Sequence, residues 1–382
     1  MLARRAHLEL KLKLCEPPAP TAHRSLRAPG RPRCPKTNSV VVQSVPRPFA
    51  QQVEWQAQVR QMKFLDLPHR RACPRLILPN GEAAFLVVHL FSGRRRAQDV
   101  HAYLHELGAE LDLSLIVLSL DTAVSTDFGN LALGSDSWSM LEQVYAAGLV
   151  AATLTGSPCE TFSEARYTLP DNSQAEARWP RPLRSADRIL GIEGLTAKEL
   201  RQVHLGGNFF QQGALVLSHH LQSGGFFVSE HPARPRDETR PSIWTSAILE
   251  VLLQHPEVTL THVSQYQWGA TVTKPTGLLH YQMPGFRKHL YRHADSTALK
   301  PKDIAIGRDS SGQFRTSRHK EYPARFCKGL ASTIVQALAS ARRQHEVCDR
   351  DAFHPSLLKW IQGAATASSK VYRNTWLPDF QG

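Results

Sequence analysis

Leu149-Val150-Ala151-Ala152-Thr153-Leu154-Thr155 is an unbroken apolar and β-branched run that passes directly into Gly156-Ser157-Pro158-Cys159. A run of this length closed by a turn reads as a strand buried on both faces. Two similar runs precede it. Phe85-Leu86-Val87-Val88-His89-Leu90 ends in Phe91-Ser92-Gly93, and residues 113–120 end in Asp121. Helical patterns at 99–107 and 137–147 separate the three. Strand–helix–strand–helix–strand predicts an α/β protein with a doubly wound, mostly parallel sheet. In such sheets ligands sit outside the carboxyl ends of the strands, where Gly93, Asp121 and Cys159 all fall. A lone cysteine is more often core than chemistry. A thiol on a turn at that edge is instead placed to act as a nucleophile.

The remaining chain extends the pattern. Residues 164–195 read as a polar, proline-containing loop, longer than a plain connection requires. Thr196-Ala197-Lys198-Glu199 is a capping box ahead of a long apolar-periodic helix, which Gly224-Gly225 stops. Phe226-Phe227-Val228-Ser229 predicts a strand ending at Glu230-His231-Pro232, which brings a carboxylate to the same edge as Cys159. A helix near 242–253, a strand near 258–263 and a last strand at 277–280 follow. Residues 284–319 are basic and irregular, and Pro323 opens a final helix to about 343. The expected organisation is a disordered, basic, proline-rich arm over 1–50, a linker with a short helix over 51–83, the main domain over 84–345 and a peripheral tail over 346–382.

The net charge of +13 is concentrated in the arm, which holds +8 of it and eight of the 25 prolines. The rest of the chain is mildly basic, so a polyanionic partner is allowed without being demanded. None of the six cysteines forms a CxxC pair or has histidine at zinc-finger spacing, which argues against a disulfide framework and a structural metal site. No apolar stretch is long enough to span a bilayer, so no membrane partner is expected. The basic start of the arm suits an organellar transit peptide or a non-specific nucleic-acid contact.

Taken in order, the strand ends resemble the catalytic domain of the cytosine-5 DNA methyltransferases. Phe91-Ser92-Gly93 is similar to that family's Phe-x-Gly opening of the S-adenosylmethionine loop. Gly156-Ser157-Pro158-Cys159, with Phe162-Ser163 beyond it, resembles the Pro-Cys nucleophile motif. Glu230-His231-Pro232 stands where the family has Glu-Asn-Val. Gly269-Ala270 and Lys274 stand where it has Gly-Val and Gln-x-Arg-x-Arg, and Tyr322-Pro323 resembles its Val-Pro-Pro. The resemblance covers roughly residues 84–342 and is nearest to divergent, retroelement-associated members.

The resemblance implies a Rossmann-like methyltransferase fold and transfer of a methyl group to C5 of cytosine through a covalent Cys159 intermediate. Glu230 would handle a proton at N3 of the flipped base. Phe91, Ser92, Gly93, Asp121, Asn130 and Pro158 would line the S-adenosylmethionine site, with Asp121 on the ribose hydroxyls. DNA is the implied partner, with single-stranded DNA or RNA as alternatives, and a nuclear location follows unless residues 1–50 are an organellar address. Departures are visible. Arg94-Arg95-Arg96 follows Gly93 where the family carries further glycines, and read as a solvated face or as phosphate contacts. The stretch between Lys274 and Tyr322 is too short for a full-sized target-recognition domain. A catalytically inactive module that binds nucleic acid or plays a structural part is therefore the second reading. A third is an unrelated doubly wound enzyme.

Overall fold

The computed structural model describes residues 73–78, 81–167, 180–301, 320–343 and 355–370. The expected arm over 1–50 and the short helix near 51–66 lie outside them. At the centre is an open seven-stranded sheet, mixed overall and parallel through its core. Strand β2 (Ala83–Leu90) lies between β3 (Leu115–Leu120) and β4 (Val150–Thr155), parallel to both, and β5 (Phe226–Pro232) extends the parallel set beside β4. Strand β7 (Pro275–Tyr281) then inserts antiparallel between β5 and β6 (Val258–Ser264). The pair β1 (Leu76–Ile77) and β2 is also antiparallel, so the end of the expected linker contributes a short strand.

Side chains of successive residues in a strand point to opposite faces. In β2, Leu86, Val88 and Leu90 enter one core while Phe85 and Val87 enter the other. Helices α3 (Asp136–Ala146), α4 (Ala197–Ser223) and α5 (Ala247–Leu253) cover the first face. Helices α1 (Val100–Glu110), α6 (Phe286–Tyr291) and α7 (Ala324–Arg343) cover the second. A sheet buried on both faces accounts for the continuous apolar runs in its parallel strands. The short helix α2 (Thr126–Gly129) follows β3. Its Gly129 packs so closely that a Cβ there would lie 2.0 Å from the Asp121 carbonyl oxygen.

Local chemistry explains where the helices start and stop. The Asp99 side chain accepts from Ala102 N–H at the start of α1. The full Thr196/Glu199 capping box is present on α4, and Gly224 ends that helix in the left-handed conformation at φ 80°.

Three expectations need correction, and the strand predicted over Phe226–Ser229 is longer. It does end in Glu230-His231-Pro232, as expected. Pairing with β4 stops at Ser229, but the antiparallel partner β7 continues the ladder through Glu230, His231 and Pro232. The irregular basic stretch contains α6, anchored by buried Phe286 and Leu290. The Arg94–Arg96 run is not a uniform solvated face. Arg95 is buried, paired with Asp99 at 2.7 Å and donating to the Ser368 carbonyl. The tail beyond 346 is not wholly peripheral, because α8 (Pro355–Ser369) lies against β3 and sinks Leu357, Ile361 and Ala364 into the first core. Its Ser368 hydroxyl accepts from Ser119 N–H at 2.8 Å and lies 3.2 Å from the Ser119 carbonyl. Those two groups face the open edge of the sheet, so the helix occupies the side on which a further strand would pair.

Candidate functional site

The turns after β2, β3 and β4 are tied to one another. Gly156 N–H donates to the Leu90 carbonyl at 3.3 Å, joining the β4 turn to the end of β2. Gly93 N–H donates to Asp121 Oδ2 at 3.1 Å, and Ala123 N–H donates to Asp121 Oδ1 at 2.8 Å. Gly93 sits at φ 66°, and a Cβ there would meet nothing within 4 Å. Phe91, at φ 56°, adopts a backbone that bulky residues rarely take. Its ring packs on Phe209 of α4 with centroids 4.6 Å apart, and its N–H donates to the Leu120 carbonyl at 2.9 Å. The Ser92 hydroxyl donates to the Gly93 carbonyl at 3.2 Å.

The cysteine turn rests on α4 and on a buried arginine. Cys159 closes it by accepting from Phe162 N–H at 2.9 Å. A Cβ on Gly206 of α4 would lie 3.1 Å from Thr161 Oγ1, a tight approach, and 3.8 Å from the Pro158 carbonyl, so α4 passes close under this turn. Arg184 donates to Thr161 Oγ1 at 2.9 Å and stacks over the Phe162 ring at 4.1 Å.

Glu230 is buried and held at both oxygens. Tyr322 O–H donates to Oε2 at 2.8 Å, and Gln265 Nε2 donates to Oε1 at 3.2 Å. The Gln265 amide also donates to Thr276 Oγ1 at 3.0 Å, and that hydroxyl donates onward to the Lys274 carbonyl at 3.1 Å. This directional chain presents Glu230 as an acceptor, which suits a carboxylate. Gly156 keeps the space open, since a Cβ there would come within 2.5 Å of the Tyr322 hydroxyl and 3.9 Å of Glu230 Oε2. The ammonium of Lys274, a residue at φ 35°, lies 5.1 Å from the Tyr322 ring centroid.

These groups act on the Cys159 thiol. Burial, and after it the Glu230 carboxylate, raise its pKa to about 11, with Lys274 opposing the rise. The Tyr322 phenol is likewise pushed well above its ordinary value by burial, then by Glu230, with Cys159 contributing. Cys159 and Glu230 thus share one electrostatic neighbourhood. At pH 7 the resting form is a thiol, and the thiolate fraction is on the order of 1 in 10⁴. Alkylation of Cys159 by iodoacetamide is therefore expected to be slow at pH 7 and to climb until about pH 11. Glu230→Gln should accelerate it at fixed pH by roughly threefold to tenfold, and Lys274→Ala should slow it. Mass-spectrometric alkylation rates check this. Unchanged rates in both variants would separate the thiol from the two charges.

The structure thus gathers Cys159, Pro158 and Glu230 at one end of the sheet, with Gly93, Phe91, Ser92 and Asp121 on the adjoining turns. Asn130 serves the α2–α3 connection. Its carbonyl accepts from the Ser135 hydroxyl at 2.6 Å and its Oδ1 accepts from Ala132 N–H at 3.2 Å. Arg95 and Arg96 are committed away from the Gly93 turn. Arg96 bridges Glu321 at 3.0 Å and donates to the Tyr322 carbonyl at 3.2 Å. Sequence reasoning missed the roles of Tyr322 and Gln265, because nothing in either residue's local pattern marks a contact with Glu230. The larger of two described hollows, ≈ 660 Å³, is lined by Tyr103, Arg292 and Arg325 rather than by Cys159. No protein-family model matches the chain, and no curated protein matches it. No described helix is long and apolar enough to cross a membrane.

Proposed function

We propose that the chain transfers a methyl group from S-adenosylmethionine to C5 of cytosine in DNA, with Cys159 as covalent nucleophile. The observation that carries this reading is that the turn bearing the Cys159 thiol passes, at Gly156, beside a buried carboxylate held by Tyr322 and Gln265. In the resting site Glu230 accepts two hydrogen bonds and Cys159 keeps its proton. Transfer of that proton to Glu230, directly or through water, produces the pair that the chemistry needs. The thiolate forms a bond to C6 of a flipped cytosine while the protonated Glu230 gives its proton to N3. The C5 carbon thereby becomes electron-rich. When water takes the C5 proton, the C5–H electron pair forms the C5–C6 double bond, the C6–S bond breaks, the thiolate leaves, and the proton at N3 returns to Glu230.

The residues on the adjoining turns fit the cofactor. Asp121 spends one lone pair of each oxygen on a backbone N–H, which leaves acceptor capacity on both for ribose hydroxyls. Gly93 presents open space, and Arg95 and Arg96 point elsewhere. When bound, S-adenosylmethionine supplies an electrophilic methyl group on a sulfonium. The chain's own residues bind its ribose, orient the base and move the protons. Single-stranded DNA and RNA are alternative substrates, consistent with the short span between Lys274 and Tyr322.

Calorimetric titration with S-adenosylmethionine and with its demethylated product tests this reading. Saturable binding of both below about 1 mM is expected. No heat and no thermal shift at millimolar ligand would overturn it. The second reading, an inactive nucleic-acid-binding module of the same fold, draws on the raised Cys159 thiol. It predicts nucleic-acid binding with no response to either ligand.

A further inference from the structure

Arg184 is 1% exposed, yet no carboxylate among the described residues pairs with it. Its described partners are neutral oxygens. Nε donates to Thr161 Oγ1, NH1 to the Ile189 carbonyl, and NH2 to the Val203 carbonyl at 2.6 Å. Three of a guanidinium's five N–H groups are spent in this way, and two remain. Burial lowers its pKa to about 9, with Arg166 adding to the fall and Tyr167 opposing it, so the group still carries its charge at pH 7. A buried charge without a counter-charge is costly.

Beside it is a second and much smaller hollow, ≈ 10 Å³, between α4 and the loop that carries Arg184. Its walls are Phe162, Ile189, Leu190 and Phe210, with Gly207 on the α4 side. Two further polar side chains line it, Gln211 and Ser246. Gln211 Nε2 and Ser246 Oγ are both buried and find no partner among the described residues. Ser246 precedes α5, where a serine ordinarily caps the helix, but its hydroxyl makes no capping bond. Thus the Arg184 guanidinium, an amide NH₂ and a hydroxyl line one small space with apolar walls. This is a set of donors around a fixed positive charge.

We propose that this hollow binds a small monovalent anion of the halide class, held by Arg184, Gln211 and Ser246. The anion would neutralise the guanidinium and satisfy the two orphaned polar groups together. Because Arg184 also holds Thr161 and Phe162, the bound anion would stiffen the turn that carries Cys159. The inference does not rest on methyl transfer.

The test is the melting temperature of the full chain in sodium chloride or bromide against sodium methanesulfonate, at constant ionic strength. A saturable rise of about 2–4 °C in the halides alone is expected. Gln211→Leu and Ser246→Ala keep the three neutral anchors of Arg184, so they should fold and should lose most of the halide-specific rise. In crystals grown from bromide, an anomalous peak should lie between Arg184, Gln211 and Ser246. A melting temperature that follows ionic strength whatever the anion overturns the proposal. So does a halide response unchanged in both variants, or a bromide map in which the hollow holds water only.

Discussion

A chain lacking residues 355–382 is expected to lose cooperative folding and to associate through its sheet edge. Among the described residues strand β3 pairs with β2 alone, so its outer edge would otherwise present unpaired backbone groups, a template for intermolecular pairing. Helix α8 covers that edge and engages both backbone groups of Ser119 through Ser368. It also inserts Leu357, Ile361 and Ala364 into the core on one face of the sheet. Its removal takes the Ser368 carbonyl from Arg95, leaving a buried guanidinium with Asp99 as its remaining described partner. Single substitutions should divide the effect. Ile361→Ala should cost about 2–5 kcal/mol through lost burial and the resulting cavity. Ser368→Ala should cost about 1–3 kcal/mol through buried backbone groups left without a partner. Urea unfolding and size-exclusion chromatography measure these. A truncated chain that stays monomeric, with an unchanged unfolding midpoint, would show that the edge needs no cover.

The second large effect concerns Cys159. Cys159→Ala is expected to abolish the covalent adduct with an oligonucleotide containing 5-fluorocytosine and to lower methyl transfer by about 10³-fold or more. Fluorine at C5 cannot leave as a proton does, so an enzyme that bonds to C6 and completes transfer remains attached. The alanine variant should keep its melting temperature within a degree or two, because a partly exposed cysteine on a turn contributes little packing. Denaturing electrophoresis of the trapped complex gives the answer. An adduct that survives the substitution would place the nucleophile elsewhere. A wild-type chain that binds the cofactor and nucleic acid but forms no adduct would favour the inactive reading.

Much of the sheet was legible because its strands are buried on both faces. The runs at Phe85–Leu90, 113–120 and Leu149–Thr155 are dominated by apolar and β-branched residues despite His89, Ser114 and Ser119, and all three lie in parallel strands. Helix ends were legible for a similarly local reason, since Thr196 with Glu199 and Gly224 each act within a turn of their own position. What escaped prediction depended on distant partners. The extension of β5 through Pro232 comes from β7, more than forty residues later. The cover on β3 comes from Ser368, 249 residues beyond Ser119. Within the candidate site, Cys159 was visible from its turn. Tyr322 and Gln265 were not, because their contacts with Glu230 span 92 and 35 residues of chain.

The over-long pairing of β5 divides the site into a part that can move and a part that cannot. Glu230 is a rung of an antiparallel ladder, so displacing it would mean unzipping β7 along several pairs. Cys159 rides on a turn, and Tyr322 approaches from the short segment ahead of α7. If the proposed nucleic-acid substrate enters here, those two elements would have to accommodate it around a carboxylate fixed in the ladder. Under the proposed function, the proton-handling group would serve as the fixed anvil and the bond-forming group would approach from the turn.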